Sequence, residues 1–376
     1  MPIKFRIPIA EPLLDDAEKK AVLDVMESGR ISQGERVQEF EEKIASYLGR
    51  KYAVACSSGT CANELLMMGL TRPNAASMLG RENLFSCAVP VCTSVAVTNP
   101  LLFAGVRPVF YDLDNKLCMD VQKIAGRRVN SMVLNVHAYG SYPHDFAYLV
   151  KFCHDDSLPL LEDACVALGS MYGERKLGTF GVASSLSFYV NKLITAGEGG
   201  MVVTDEPHMA EYCREYVNHG RKKSVYHEEW FYHHLGRNAK MTDLQAAIGL
   251  AQFDKINRFI DARKKIGQYL YDNLKDVGGL ITYRPSLSEV PWAFWIVDLM
   301  KERRNMPKIS MTLQTEYGIE TRPMLPILPK LRIYRMNGSF PMGEASQNGF
   351  IVSCSPAIIA HGDLDYLVDG LREVLG

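Results

Sequence analysis

Apolar positions in the first fifty residues follow a helical period. Ala21, Val22, Val25 and Met26 share one face of a stretch from Asp15 to Ser28, which Gly29 ends. Val37, Phe40, Ile44, Tyr47 and Leu48 form a second stripe that stops at Gly49. The pattern then changes. Tyr52–Cys56 is an apolar run of strand length, Ser57-Ser58-Gly59-Thr60 is a turn, and a helix is expected from about Cys61 to Leu70. Further strands are expected at Asn83–Val89, Pro108–Asp112, Met132–His137, Leu158–Leu161 and Leu186–Val190, with another apolar run at Met201–Val203. Strands alternating with crossover segments imply an α/β protein. Its sheet is mostly parallel, with ligands at the carboxyl ends of the strands.

A helix is expected from Pro207 to about Asn218, with Ala210, Cys213 and Val217 on one face, and Met241, Leu244, Ile248 and Ala251 stripe another. The segment Gln252–Lys264 reads as a boundary. It divides a large domain, 1–255, from a smaller α+β domain, 256–376, with helices at Pro307–Tyr317 and Asp363–Leu375 and strands at Trp295–Leu299 and Phe350–Ser353.

Composition narrows the function. The chain has 376 residues, 47% hydrophobic and 23% charged, which is ordinary for a soluble two-domain protein. A net charge of −1 offers no field for nucleic acid or an anionic membrane, so any phosphate recognition must be local. Nine cysteines without a CxxC pair point to a reducing compartment. With no signal-like start and no membrane-length apolar run, a cytoplasmic enzyme is expected. His219, His227, His233 and His234 lack ligand spacing, and no metal site is expected.

Three stretches carry candidate chemistry. In Ser185–Gly200, Lys192 stands between an apolar run and the turn Gly197, Gly199, Gly200. Partial exclusion of water there would lower the amine's pKa and favour the neutral form that attacks an aldehyde. Taken alone, a lysine in such a place is more often a solvated surface group. The strand–SSGT–helix unit puts free amides at a helix N-terminus, which is either an anion site or a plain capped start. Asp163 follows a buried strand. It is either a cap or the partner of a protonated pyridine nitrogen.

Together, in order and spacing, these motifs resemble the DegT/StrS-type sugar aminotransferases, pyridoxal-phosphate (PLP) enzymes of fold type I. RISQGERVQEFEEKIASYLG, AVACSSGT, FAGVRPVFYDLD, VHAYG, LLEDA, SFYVNKLITAGEGG, NHGR, NAKMTDLQAAIGLAQ and GIETRP spread the resemblance over nearly the whole chain. SFYVNKLITAGEGG is most similar to the branch that holds the perosamine-forming 4-aminotransferases. The resemblance implies a three-layer αβα sandwich and a homodimer with shared active sites. Lys192 matches the Schiff-base lysine and Asp163 the pyridine partner. Ser58, Gly59 and Thr60 match the phosphate cradle, and Ser187 a serine that also reaches the phosphate. Asn238 matches an asparagine given to the neighbouring subunit's phosphate site, and His219 and Arg322 fall on the substrate side. The implied substrates are a nucleotide-linked 4-keto-6-deoxyhexose and L-glutamate. A 3-dehydratase branch carries histidine where this chain has Lys192, so lysine favours amino transfer.

Three positions depart from the family pattern. Ser94, in TSVAV, stands where an aromatic residue usually covers the cofactor ring. Val166 replaces a polar residue after the aspartate. The histidine expected after the RP motif is absent from Leu325–Pro329. Rival readings are a 3-keto sugar or other cyclic-ketone aminotransferase, and a PLP-binding relative without turnover. A nucleotide-binding dehydrogenase would need GxGxxG where SSGT stands.

Overall fold

Seven strands form the central sheet: β1 (Tyr52–Cys56), β2 (Phe85–Pro90), β3 (Val106–Tyr111), β4 (Met132–Val136), β5 (Leu160–Asp163), β6 (Ala183–Ser187) and β7 (Gly200–Thr204). Their order is β1-β7-β6-β5-β4-β2-β3. The pairs from β6 to β3 are parallel, whereas β7 runs antiparallel to both β1 and β6. This is the expected α/β architecture with a mostly parallel sheet. The computed structural model describes residues 4–72, 85–125, 131–222, 231–232, 234–277, 280–281, 289–291, 294–299 and 306–376. The start of the strand expected from Asn83, and His227 and His233, lie outside them.

β4 and β7 are buried at every position, so they read as continuous apolar runs rather than alternating ones. The covering helices are set by their caps. α1 (Asp16–Ser28) starts in a capping box in which Asp15 N–H donates to Glu18 Oε2 at 2.8 Å. α2 (Glu35–Leu48) has no side-chain cap of its own. Asp243 Oδ1 supplies one, accepting from Gly34 N–H at 2.8 Å and Val37 N–H at 3.0 Å. α3 (Gly59–Thr71) packs on β6 and β7, and α4 (Val95–Phe103) packs on α3 and β3. α5 (Phe146–Asp155) leads into β5, and α6 (Pro207–Tyr216) packs on β1 and β7. α7 (Asp243–Phe253) packs on α1 and α2.

Of the boundaries that differ from the sequence reading, two move the site. β5 runs Leu160–Asp163 rather than Leu158–Leu161, so Asp163 is the last residue of the strand and not one beyond it. β6 ends at Ser187 rather than Val190. The apolar run continues because Phe188 is buried, but its backbone has left the ladder. Phe188 O accepts from Ala196 N–H at 2.9 Å and from Thr195 Oγ1 at 3.1 Å, which closes residues 188–196 into a loop. Lys192 therefore sits inside that loop and not at a strand end.

The expected boundary segment falls at the junction of α7 with α8 (Ile256–Leu274), where Asp254 and Lys255 alone separate two helices. Beyond it, an antiparallel four-stranded sheet joins β8 (Leu280–Ile281), β9 (Phe294–Leu299), β10 (Arg322–Pro323) and β11 (Gly349–Ser353) in the order β8-β9-β11-β10. α9 (Met306–Thr315) and α10 (Leu364–Leu375) pack on each other beside it. The N-terminal segment reaches this part of the chain, since Arg6 and Ile7 donate N–H to Gly318 O and Ile7 O accepts from Glu320 N–H. Among the described residues, no helix is long and apolar enough to cross a membrane.

Candidate active site

Strand register gathers the site. Cys56 and Ser187 both pair with Gly200 of β7, which puts the start of SSGT and Ser187 in one row. Val136, Asp163 and Ser185 are aligned in the same way across β4, β5 and β6. The backbone approach at this end leaves no room for side chains. A Cβ on Gly200 would lie 2.1 Å from Ser58 O, and one on Gly59 would lie 2.7 Å from Ser187 Cβ. The N-terminus of α3 thus abuts Ser187 directly. Ser58 caps it, its Oγ accepting from Cys61 N–H at 3.1 Å. The first-turn amides of Gly59 and Thr60 lie ahead of any intrahelical acceptor.

Asp163 is buried, yet it makes no ion pair among the described residues. Its Oδ1 accepts from Cys165 N–H at 2.9 Å and its Oδ2 from Asn63 Nδ2 at 2.8 Å. Asn63 is fixed in turn, since its Oδ1 accepts from Ser185 Oγ at 2.7 Å and its Nδ2 also reaches Ala96 O at 3.3 Å. Next to Asp163, Glu162 forms a second, fully buried network. His137 Nε2 lies 2.9 Å from its Oε1, and the amides of Gly178, Phe180 and Gly181 donate to the same carboxylate. Burial alone would raise the Glu162 pKa, but His137 and these amides outweigh it and hold the carboxyl below its ordinary value.

Lys192 is half-buried, in the loop closed by Lys192 N–H donating to Tyr189 O at 3.0 Å. Desolvation pushes its amine's pKa down. Cys165 and Asp163 oppose that shift, and the Arg263 guanidinium adds to it. Burial and the Asp163 carboxylate push the Cys165 thiol well above its usual value, which marks it as a neutral wall group.

The structure therefore brings together Lys192, Asp163, Ser58, Gly59, Thr60 and Ser187. Ser94 joins them through its own helix. It caps α4, its Oγ accepting from Ala96 N–H at 3.2 Å, and Ala96 O faces Asn63. Val166 is half-buried just past Asp163. Asn238 is exposed beside the SSGT turn of its own chain, because Ala239 O accepts from Ser57 N–H at 2.8 Å. Its Oδ1 accepts from Lys240 Nζ at 2.8 Å. His219 is exposed with a φ of 65°, and its N–H donates to Arg237 O. Arg322 is exposed on β10 and pairs with Glu320 at 2.6 Å. No described contact ties His219 or Arg322 to Lys192. Sequence reasoning missed Asn63, Ser185 and Arg263. The available signal for Asn63 was a lone amide inside the apolar run Ala62–Met68.

Among the described residues, no group of three or more His, Cys, Asp or Glu is placed to hold a metal ion. A half-desolvated lysine, a carboxylate without an ion pair among the described residues and a backbone-lined helix N-terminus meet at the carboxyl ends of β1, β5 and β6, an arrangement suited to a PLP-dependent aminotransferase. Residues 12–353 match the DegT/DnrJ/EryC1/StrS aminotransferase family, and the chain belongs to it. It is 31% identical over 331 residues to GDP-perosamine synthase of Escherichia coli O157:H7, covering 85% of this chain and 86% of that protein. Among solved structures, Helicobacter pylori PseC, an aminotransferase involved in the biosynthesis of pseudoaminic acid, superposes with a TM-score of 0.90 at 25% identity. That match covers 98% of this chain and 99% of the other. A GDP-4-keto-6-deoxymannose-3-dehydratase with a trapped PLP-glutamate geminal diamine gives a TM-score of 0.89 at 27% identity, over 99% of this chain and 100% of the other.

Proposed function

We propose that the protein transfers the amino group of L-glutamate to the C4 ketone of a nucleotide-linked 4-keto-6-deoxyhexose. The product is an amino sugar for glycan or polysaccharide assembly. The observation that carries this reading is the convergence of Lys192 and Asp163 on the α3 N-terminus that Ser187 closes. Likeness to GDP-perosamine synthase supports the choice of sugar nucleotide. Lysine at 192, where the 3-dehydratase branch carries histidine, favours transfer over dehydration.

The residues fit PLP. The cradle at Gly59 is backbone that a Cβ would fill, and it offers amides and a dipole suited to a phosphate. Ser58, Gly59, Thr60 and Ser187 would hold that phosphate, and Asp163 would accept the ring N–H. When bound, the cofactor supplies an electron sink for charge at the donor Cα. Lys192 does the rest through Nζ. Its desolvation favours the neutral amine, which is both the attacking form and the base that moves the donor Cα proton. In this reading Asn238 reaches the neighbouring site of a homodimer, and His219 and Arg322 meet the substrate.

The test is a screen of GDP-, dTDP- and UDP-linked keto sugars with glutamate, read by product mass. Formation of 2-oxoglutarate without any aminated sugar would reject the substrate class and keep the enzyme. Absence of even the glutamate half-reaction would reject both.

A further inference from the structure

Arg263 stands on α8, outside the strands that build the site. It is 3% exposed and makes no ion pair among the described residues. Its Nη2 donates to two consecutive carbonyls, Asn191 O at 3.2 Å and Lys192 O at 2.8 Å. Its Nε has no partner. Ile260, about one turn earlier on the same helix, and Leu193 of the loop both approach Gly169. A Cβ on Gly169 would sit 2.8 Å from Ile260 Cδ1 and 3.2 Å from Leu193 Cδ2. Beneath the loop, Arg263, Asn191, Lys192, Thr195, Ser353 and Ser355 line a cavity of about 20 Å³.

A buried cation without a counter-ion is unfavourable, and an apolar side chain of similar length would fill its place at no electrostatic cost. Burial has pushed the guanidinium down to about 10, so it remains charged at neutral pH. Among the described residues, the charged groups that act on the Lys192 amine are Asp163 at the end of β5 and Arg263 from α8; the Cys165 thiol between them is neutral. Asp163 favours the ammonium, and Arg263 opposes it.

We propose that Arg263 is the positioning residue of Lys192. It holds the loop by two carbonyls, which fixes the backbone that carries the amine, and its buried cation disfavours a second positive charge in the same loop. The inference rests on the reading of Lys192 as the cofactor lysine. It also ties the lysine to the helix that leads into the second sheet.

The test uses the apoprotein, so that no activity is needed. Acylation of Lys192 by acetic anhydride is followed across pH by peptide mass mapping in wild type, Arg263→Lys, Arg263→Gln and Arg263→Met. Hydrogen exchange is read at the amides of Lys192 and Ala196. The two neutral variants should raise the midpoint of Lys192 reactivity, and Arg263→Lys should stay near wild type. Exchange at both amides should rise about tenfold or more in Arg263→Met and less in Arg263→Gln, which keeps donors. An unmoved midpoint in Arg263→Gln overturns the electrostatic part, and unmoved exchange in the neutral variants overturns the grip. If Arg263→Met does not fold, the Gln and Lys variants decide both points. PLP found by borohydride trapping on a lysine other than Lys192 would instead defeat the cofactor reading, a separate result.

Discussion

Asn63 Nδ2 donates to Asp163 Oδ2 at 2.8 Å, although 100 residues separate the two in sequence. The bond fixes the carboxylate plane without neutralising it. Ser185 Oγ, donating to Asn63 Oδ1, fixes which way the amide faces. Asp163 is thus held as an oriented anion at the end of β5, which suits a partner for a ring N–H.

Asn63→Leu should therefore weaken PLP binding by roughly 10- to 100-fold, the size of a hydrogen bond to a charged group. Asn63→Asp should weaken it further, because a second carboxylate raises the proton affinity of the pair and Asp163 ceases to be an anion. Equilibrium titration of the apoprotein checks both. Wild-type affinity in Asn63→Leu would mean that Asp163 needs no support from α3.

The holoprotein should be yellow, and borohydride should bleach it and leave the cofactor attached to Lys192 in a peptide map. Lys192→Ala should abolish transamination with the fold intact, since it removes the nucleophile and the proton carrier together. Asp163→Asn should bind PLP more weakly and lose most turnover. Normal turnover in either variant contradicts the proposed roles.

The legible part of this fold was the part written in periodicity. Strand–crossover alternation gave the parallel sheet, and SSGT, Asp163 and Lys192 stood out as small or charged residues at the ends of apolar runs. Two boundaries misled for a physical reason. Leu158 and Phe188–Val190 extend apolar runs beyond the hydrogen-bonded ladder, and hydrophobicity cannot show where pairing stops. Asn63, Ser185 and Arg263 were hidden because their partners are distant in sequence. A buried arginine on α8 looks like any charged residue of an amphipathic helix until the loop it grips is in place. Ser94 was legible as a departure, but its work as the cap of α4 was not.

Glu162 supplies a pH test. Its folded pKa lies below its ordinary value of 4.5, so the stability it contributes is fully present above that value and is lost as pH falls through the lower, folded pKa. Glu162→Gln removes the charge and turns an amide NH₂ toward N–H donors. That should cost about 1–3 kcal/mol at neutral pH, the usual cost of leaving buried donors without their acceptor. The gap in thermal midpoint between wild type and Glu162→Gln should be widest above pH 5 and narrow with acidification. A gap that stays constant from pH 7 to pH 3 would show that the carboxylate charge contributes nothing there.

Ser94 separates two effects that a single substitution couples. Its Oγ caps α4 by accepting from Ala96 N–H, and it is exposed on the segment that meets Asn63. Ser94→Ala should lose the cap alone, lowering stability by about 1 kcal/mol and leaving PLP affinity unchanged. Ser94→Phe and Ser94→Trp lose the same cap but can cover the cofactor ring, an interaction of about 0.5–1.5 kcal/mol. Their apoproteins should melt at the same lowered temperature as Ser94→Ala, while PLP binds up to roughly tenfold more tightly than in wild type. Stability and cofactor affinity would then move in opposite directions at one position. That pattern arises only if the side chain at 94 faces the ring. Equal or weaker PLP binding in both aromatic variants, with the expected loss of stability, would place the 94 side chain away from the cofactor and leave its cap as its whole function.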